Sequence, residues 1–180
     1  MSEAEAVRST LQKFQDGYTA RDVTQVDSFM ELFIKSDEIE LVGVGAKKRG
    51  GDEWFHGWQA IREIVEGDWT YWGDVRLDVA GAKITVAGDI AWLSTSGDLL
   101  KTEDSEKAFP LYMDMMKQIL ENEKLDLATR LVDATVFGVN QMRDRTKDLG
   151  YAWPITFTAV LVRKPEGWRF HTIHWAMPPG

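Results

Sequence analysis

The run VRLDVAGAKITVAGDIAWLSTSGDLLK, residues 75–101, constrains the fold more than any other stretch of the chain. Apolar and polar residues alternate through it, with interruptions at Ala80-Gly81 and Gly88-Asp89. A period of two places alternate side chains on opposite faces of a strand, and the glycine-containing pairs permit tight reversals. Three strands of an antiparallel meander are therefore expected here. A second strand pair follows near the C-terminus. WPITFTAVLVRK (153–164) and WRFHTIHWAMP (168–178) flank the turn Pro165-Glu166-Gly167, and Pro178-Pro179 is expected to stop the last strand.

The N-terminal part has the other periodicity. Val7, Leu11, Phe14 and Tyr18 recur at spacings of four, three and four, one apolar stripe of a helix over residues 4–20. Asp22 reads as the N-cap of a second helix carrying Val23, Val26, Phe29, Met30, Phe33 and Ile34 on one face and ending near Ser36. EIELVGVG (38–45) reads as a short strand. RGGDEWFHGWQAIREIVEGDW (49–69) reads as a glycine-rich loop leading into a third helix, buried through Trp58, Ile61, Ile64 and Val65, with Gly67 near its end. Between the two groups of strands, FPLYMDMMKQIL (109–120) and LATRLVDATVFGVNQM (127–142) are helical in spacing, so 102–150 is a helical insertion. The whole is expected to be one α+β domain, 1–180.

Composition narrows the function. A formal net charge of −8 opposes unspecific binding to nucleic acid or to an anionic membrane, and the basic cluster Lys47-Lys48-Arg49 is short. No run approaches the roughly 20 apolar residues that cross a bilayer, so a cytoplasmic protein is expected. The absence of cysteine excludes disulfides, thiolate metal sites and cysteine nucleophiles. GVGAKKRGG (43–51) lacks both nucleotide-loop spacings, and no G-x-S-x-G elbow occurs. His171 and His174 lie three apart on a strand, hence on opposite faces unless a bulge intervenes, so no metal site and no cofactor are expected.

DEWFHGWQAIRE (52–63), the strand series 75–94 and FTAVLVRKPEGWRFHTIHWAMP (157–178), following two helices, together resemble the SnoaL-like branch of the nuclear transport factor 2-like superfamily. The resemblance implies a curved, mostly antiparallel sheet wrapped as a cone on the N-terminal helices. It also implies a pocket at the open end and homodimerisation through the outer sheet face. Ketosteroid isomerase-like members use a first-helix tyrosine with a carboxylate near the first strand. Tyr18 is the candidate for the former, but Leu41–Val44 offers no acid.

On this reading a small hydrophobic molecule binds among aromatic side chains, with Phe14, Phe29, Trp58, Trp92, Ser94 and Ser96 as ligand-binding candidates. His174 or Asp98 would move a proton while Tyr18 or a serine hydroxyl polarised a carbonyl. Trp92, Ser94, Ser96 and Asp98 share one strand face. The opposite face, Ala91, Leu93, Thr95 and Leu99, is more apolar and would bury more readily, so alternation alone leaves the choice open. The rival reading is a non-catalytic ligand-binding or dimerisation module.

Overall fold

The computed structural model describes residues 2–46, 48–49, 53–102, 104–145 and 147–177. They form two compact units, residues 2–100 with 152–177, and residues 101–151. The glycine-rich loop expected at 43–51 falls partly outside the described residues, and Pro178-Pro179 falls wholly outside them.

Helix α1 (Glu3–Ala20) begins with a capping box, in which the Ser2 hydroxyl accepts from Glu5 N–H while the Glu5 carboxylate accepts from Ser2 N–H. Its stripe of Val7, Leu11, Phe14 and Tyr18 is fully buried. Past Ala20 the chain reverses at Arg21, whose φ of 50° lets its N–H reach Gly17 O. The expected second helix is a broken one. A turn of 3-10 helix (Val23–Gln25), a single α-turn α2 (Val26–Phe29) and another 3-10 turn (Met30–Leu32) follow one another, and Phe33 is already extended. Packing wins over local periodicity here. Phe29 lies so close to Gly17 that a Cβ at Gly17 would stand 2.4 Å from its Cδ2.

Helix α3 (Trp58–Tyr71) continues a full turn past Gly67 and buries Ile61, Val65 and Trp69. Strands β1 (Glu40–Val42), β2 (Trp54–His56), β3 (Asp74–Leu77), β4 (Lys83–Ala87), β5 (Ile90–Leu100), β6 (Ala152–Lys164) and β7 (Gly167–Ala176) form one sheet. Its order is β2-β1-β7-β6-β5-β3, with β4 also paired to β5. All pairs are antiparallel except β1 with β7. β2 was not anticipated; its three residues lie in what reads as loop sequence. The expected meander is also altered. β5 is long enough for β4 to pair with its first half and β3 with its second, so β3 and β4 occupy the same edge in succession.

The inner sheet face and the helices make one core. Gln15, buried on α1, donates to Val75 O and accepts from Leu77 N–H, so both ends of its amide fix α1 on β3. Phe14 stands at the centre, with the rings of Tyr18, Phe29, Phe33, Phe157, Phe170 and Trp175 at 4.9–6.3 Å.

In the second unit, α4 (Ser105–Glu121) and α5 (Leu127–Arg145) form a helical hairpin. Asp104 caps α4 through Glu106 N–H, and the Asp126 carboxylate takes Thr129 N–H at the start of α5. No helix among the described residues is long and apolar enough to cross a membrane.

Candidate functional site

The strand residues singled out by sequence lie on the outer face of the sheet. On β5, Ala91, Leu93 and Leu99 are buried, whereas Trp92, Ser94, Ser96 and Asp98 are exposed. Burial follows the more apolar face, as the hydrophobic effect requires. Trp92 and Ser94, with His174, Lys83, Thr85 and Thr158, line an outer groove of ≈360 Å³. Ser96 and Asp98 line a neighbouring groove of ≈830 Å³ beside Arg76, Asp78 and Thr156.

The C-terminal strand corrects the parity expected from alternation. Leu161 pairs with Phe170 and Val160 with Thr172, so His171 is an extra residue on β7. Trp168 and Phe170 before the bulge and Ile173 and Trp175 after it are all buried in the core. His174 is therefore exposed on the outer side, on the face that Thr172 also occupies. The bulge removes the parity argument that set His171 and His174 on opposite faces. His171 Nδ1 lies 2.9 Å from Thr172 Oγ1. Among the described residues no group of three or more His, Asp or Glu could hold a metal ion.

Tyr18, Phe14 and Phe29 are in the interior, so the structure divides the expected set between two faces of one sheet. His174 and Asp98 cannot act together with Tyr18 on one ligand inside the cone, because the sheet separates them. Trp58, at the first turn of α3, is half-buried, with Lys35 Nζ 5.4 Å from its ring centroid.

What the interior brings together is Tyr18 and Asp68. The Tyr18 hydroxyl donates to Asp68 Oδ2 at 3.0 Å, joining α1 to α3. Trp69 and Trp175 stand around Tyr18 at ring distances of 6.2 and 5.7 Å, and Trp72 touches Trp175 at 5.5 Å. Burial pushes the Asp68 carboxyl up to about 7, opposed by the hydrogen bond from Tyr18, raised further by the negative charge of Glu53 and lowered by Arg21. Arg21 is held nearby by its Nε donating to Trp69 O at 3.0 Å. Tyr18 is itself raised well above its ordinary value, first by burial and then by the Asp68 charge, and so remains a neutral donor.

Two further polar groups belong to this place. The indole N–H groups of Trp69 and Trp175 are buried and lack a hydrogen-bond partner among the described residues. Asp68 was missed by the sequence reading, although a signal existed. It lies three residues after Val65 and seven after Ile61, so a carboxylate stands on the apolar side of an amphipathic helix.

A curved mixed sheet packed on helices, with an aromatic interior and a half-buried carboxyl held by a tyrosine, defines an α+β protein of the cystatin-like kind. The chain belongs to the SnoaL-like domain family, whose pattern it matches over residues 7–116. Solved structures of the same fold cover nearly the whole chain at low identity. A proposed dehydratase of the nuclear transport factor 2-like family from Streptomyces avermitilis is 12% identical, with a TM-score of 0.60 over 98% of this chain and 96% of that one. A nuclear transport factor 2-like protein with a cystatin-like fold from Novosphingobium aromaticivorans gives 14%, 0.58, 98% and 82%. A cystatin-like-fold protein from Caulobacter vibrioides gives 12%, 0.59, 99% and 92%. Comparison with curated proteins gives no match.

Proposed function

We propose that this chain binds a small, planar, largely apolar molecule bearing a carbonyl group at the Tyr18–Asp68 end of its aromatic interior, and that Asp68 moves a proton on it. The observation that carries this reading is the Asp68 carboxyl, hydrogen-bonded to Tyr18 at 3.0 Å among tryptophans and pushed up to about 7. A carboxyl titrating there populates both its acid and base forms at neutral pH, as a proton shuttle requires.

The rings packed about Phe14 include Tyr18 and Trp175, so the ligand belongs on the side of these two away from Phe14, where Asp68, Trp69 and Trp72 stand. The two unpartnered indole N–H groups supply the polar half of the recognition. A buried donor without an acceptor costs about 1–3 kcal/mol, which a ligand carbonyl oxygen would recover. In the step itself, the Asp68 carboxylate removes a proton from the carbon next to that carbonyl. The electron pair moves onto the carbonyl oxygen, where indole N–H groups stabilise it, and the carboxyl returns the proton to the same carbon or, in an unsaturated ketone, to the far end of the dienolate. Tyr18 positions the carboxyl by holding Oδ2. This is proton transfer of the isomerase type, and it becomes a dehydration where a hydroxyl on the next carbon takes that proton and leaves as water; the family and fold are compatible with either.

The test is native mass spectrometry of the purified protein, repeated after denaturation, joined to NMR of an aryl ketone incubated with the protein in heavy water. The reading expects a carbonyl compound released on denaturation, and deuterium uptake beside the carbonyl that Asp68→Asn reduces at least 100-fold. A bare polypeptide mass together with uptake equal in the two proteins would refute it. The filled aromatic floor favours a second reading, ligand binding without turnover, in which Asp68→Asn leaves both the bound molecule and its hydrogens unchanged.

A further inference from the structure

Among the described residues, Arg21 alone takes a left-handed backbone without being glycine, with φ 50° and ψ 36° at the end of α1. Glycine is the usual residue at such a helix end, because a Cβ crowds the backbone in this conformation. A side chain kept in a strained position points to a use for that side chain. Here the use is visible, since Arg21 Nε donates to Trp69 O at 3.0 Å. The acceptor lies in the last turn of α3. Trp72 caps that helix by donating its N–H to Asp68 O, and Trp69 O is the next carbonyl along, one of those that a helix end leaves to side chains or water. The last turn of α3 holds no basic residue of its own, so the cation that suits a helix C-terminus comes from the end of α1. The same turn carries the site. Asp68 stands in it, bonded to Tyr18, beside Trp69, whose buried indole N–H has no partner among the described residues.

We propose that Arg21 is the positioning residue of the Tyr18–Asp68 site, fixing through the Trp69 carbonyl the turn that carries Asp68 and Trp69, and balancing the carboxylate with its guanidinium charge. The inference rests on the reading of Asp68 as the group that moves a proton. Among the described residues, the titratable groups facing that carboxyl are Tyr18 on α1, Arg21 at its end and Glu53 just before β2. Glu53 is held by Gly45 N–H, which donates to its Oε2 at 2.8 Å, and by Gly43 N–H, which donates to its backbone O at 2.7 Å. The charge of Glu53 opposes ionisation of Asp68, and that of Arg21 favours it. Glu53 is exposed, whereas Arg21 is half-buried, where salt screens a charge less. Arg21 therefore keeps the carboxylate form within reach at neutral pH, acting through Asp68 rather than on the ligand.

Arg21→Gln separates the two roles, because its amide nitrogen takes the place of Nε along the side chain and can still donate to Trp69 O without the charge. In this variant the carbon-13 carboxyl titration of Asp68 is expected to move its midpoint up by at least ~0.5 pH unit, and the half-rise of deuterium uptake by an aryl ketone against pH should move with it. Arg21→Lys keeps a cation and is expected to restore the wild-type midpoint. Arg21→Gly suits the backbone but removes donor and charge together, so it should share the shift and also lose roughly 10-fold in maximal uptake. A midpoint that neither Arg21→Gln nor Arg21→Gly moves, a rise that Arg21→Lys shares in full, or maximal uptake in Arg21→Gly equal to that of wild type overturns the proposal. The midpoint shift is read between variants and so stands apart from the reading of Asp68 itself, which fails instead on a wild-type chain with no uptake and a midpoint near 4.

Discussion

Tyr18 and Asp68, fifty positions apart in sequence, share a 3.0 Å hydrogen bond in which the phenol donates to carboxyl oxygen Oδ2. Each group alters the other's acidity. The phenol holds the carboxyl lower than burial alone would, while the carboxyl's charge and the surrounding core push the phenol up. The pair therefore stays neutral enough to lie among aromatic rings, and it retains one proton that can be moved near neutral pH.

Asp68 should make stability depend on pH in an uncommon direction. Its carboxyl titrates near 3.8 when unfolded and at about 7 when folded, so between these values the folded state holds the extra proton. Stability then falls as pH rises from about 4 to about 7 and is flat beyond. Asp68→Asn removes this dependence while keeping an acceptor for Tyr18. Urea unfolding should find the variant more stable than wild type by about 1–2 kcal/mol at pH 8, a figure reduced for the carboxyl's partial access to water. At pH 4 the two proteins should match.

Tyr18→Phe should leave the alkaline tyrosine titration unchanged. Because Tyr18 stays protonated well above the ordinary range, absorbance at 295 nm up to about pH 11 should rise equally in variant and wild type. A smaller rise in the variant would mean that Tyr18 ionises freely and that its contact with Asp68 is loose.

Much of this arrangement is legible in the sequence. The α1 stripe named Phe14 and Tyr18 as buried, whereas alternation on β5 left the choice of face open, and it is the more apolar face, Ala91, Leu93 and Leu99, that buries. The parity of β7 was not legible, because the bulge at His171 is set by pairing with β6 and nothing local marks it. A reading by simple alternation therefore puts His174 with Trp168 and Phe170, where it does not lie. The second helix breaks because Phe29 must reach α1 at Gly17, a tertiary demand invisible to periodicity. Asp68 could have been found, as a charge on the apolar side of α3, but its tyrosine partner on α1 could not.

Gln15→Leu should cost about 2–4 kcal/mol, because it leaves both Val75 O and Leu77 N–H without their buried partner. The loss should appear in chemical denaturation as a lower midpoint. A change below about 0.5 kcal/mol would show that water replaces the amide at β3.

His174→Ala and Asp98→Asn should behave as surface changes. Each residue is exposed on the outer face of the sheet, so stability should move by no more than about 0.5 kcal/mol and ligand affinity should stay that of wild type. Loss of binding in either variant would relocate the site to the outer grooves.

The carbon-13 carboxyl resonance of Asp68, followed by NMR from pH 3 to pH 9 in the wild-type chain, tests the central claim most directly. A midpoint near 7 is predicted, moving when a carbonyl ligand occupies the neighbouring indoles. A midpoint near 4, insensitive to any such ligand, would contradict the account and leave Asp68 an ordinary hydrated carboxylate.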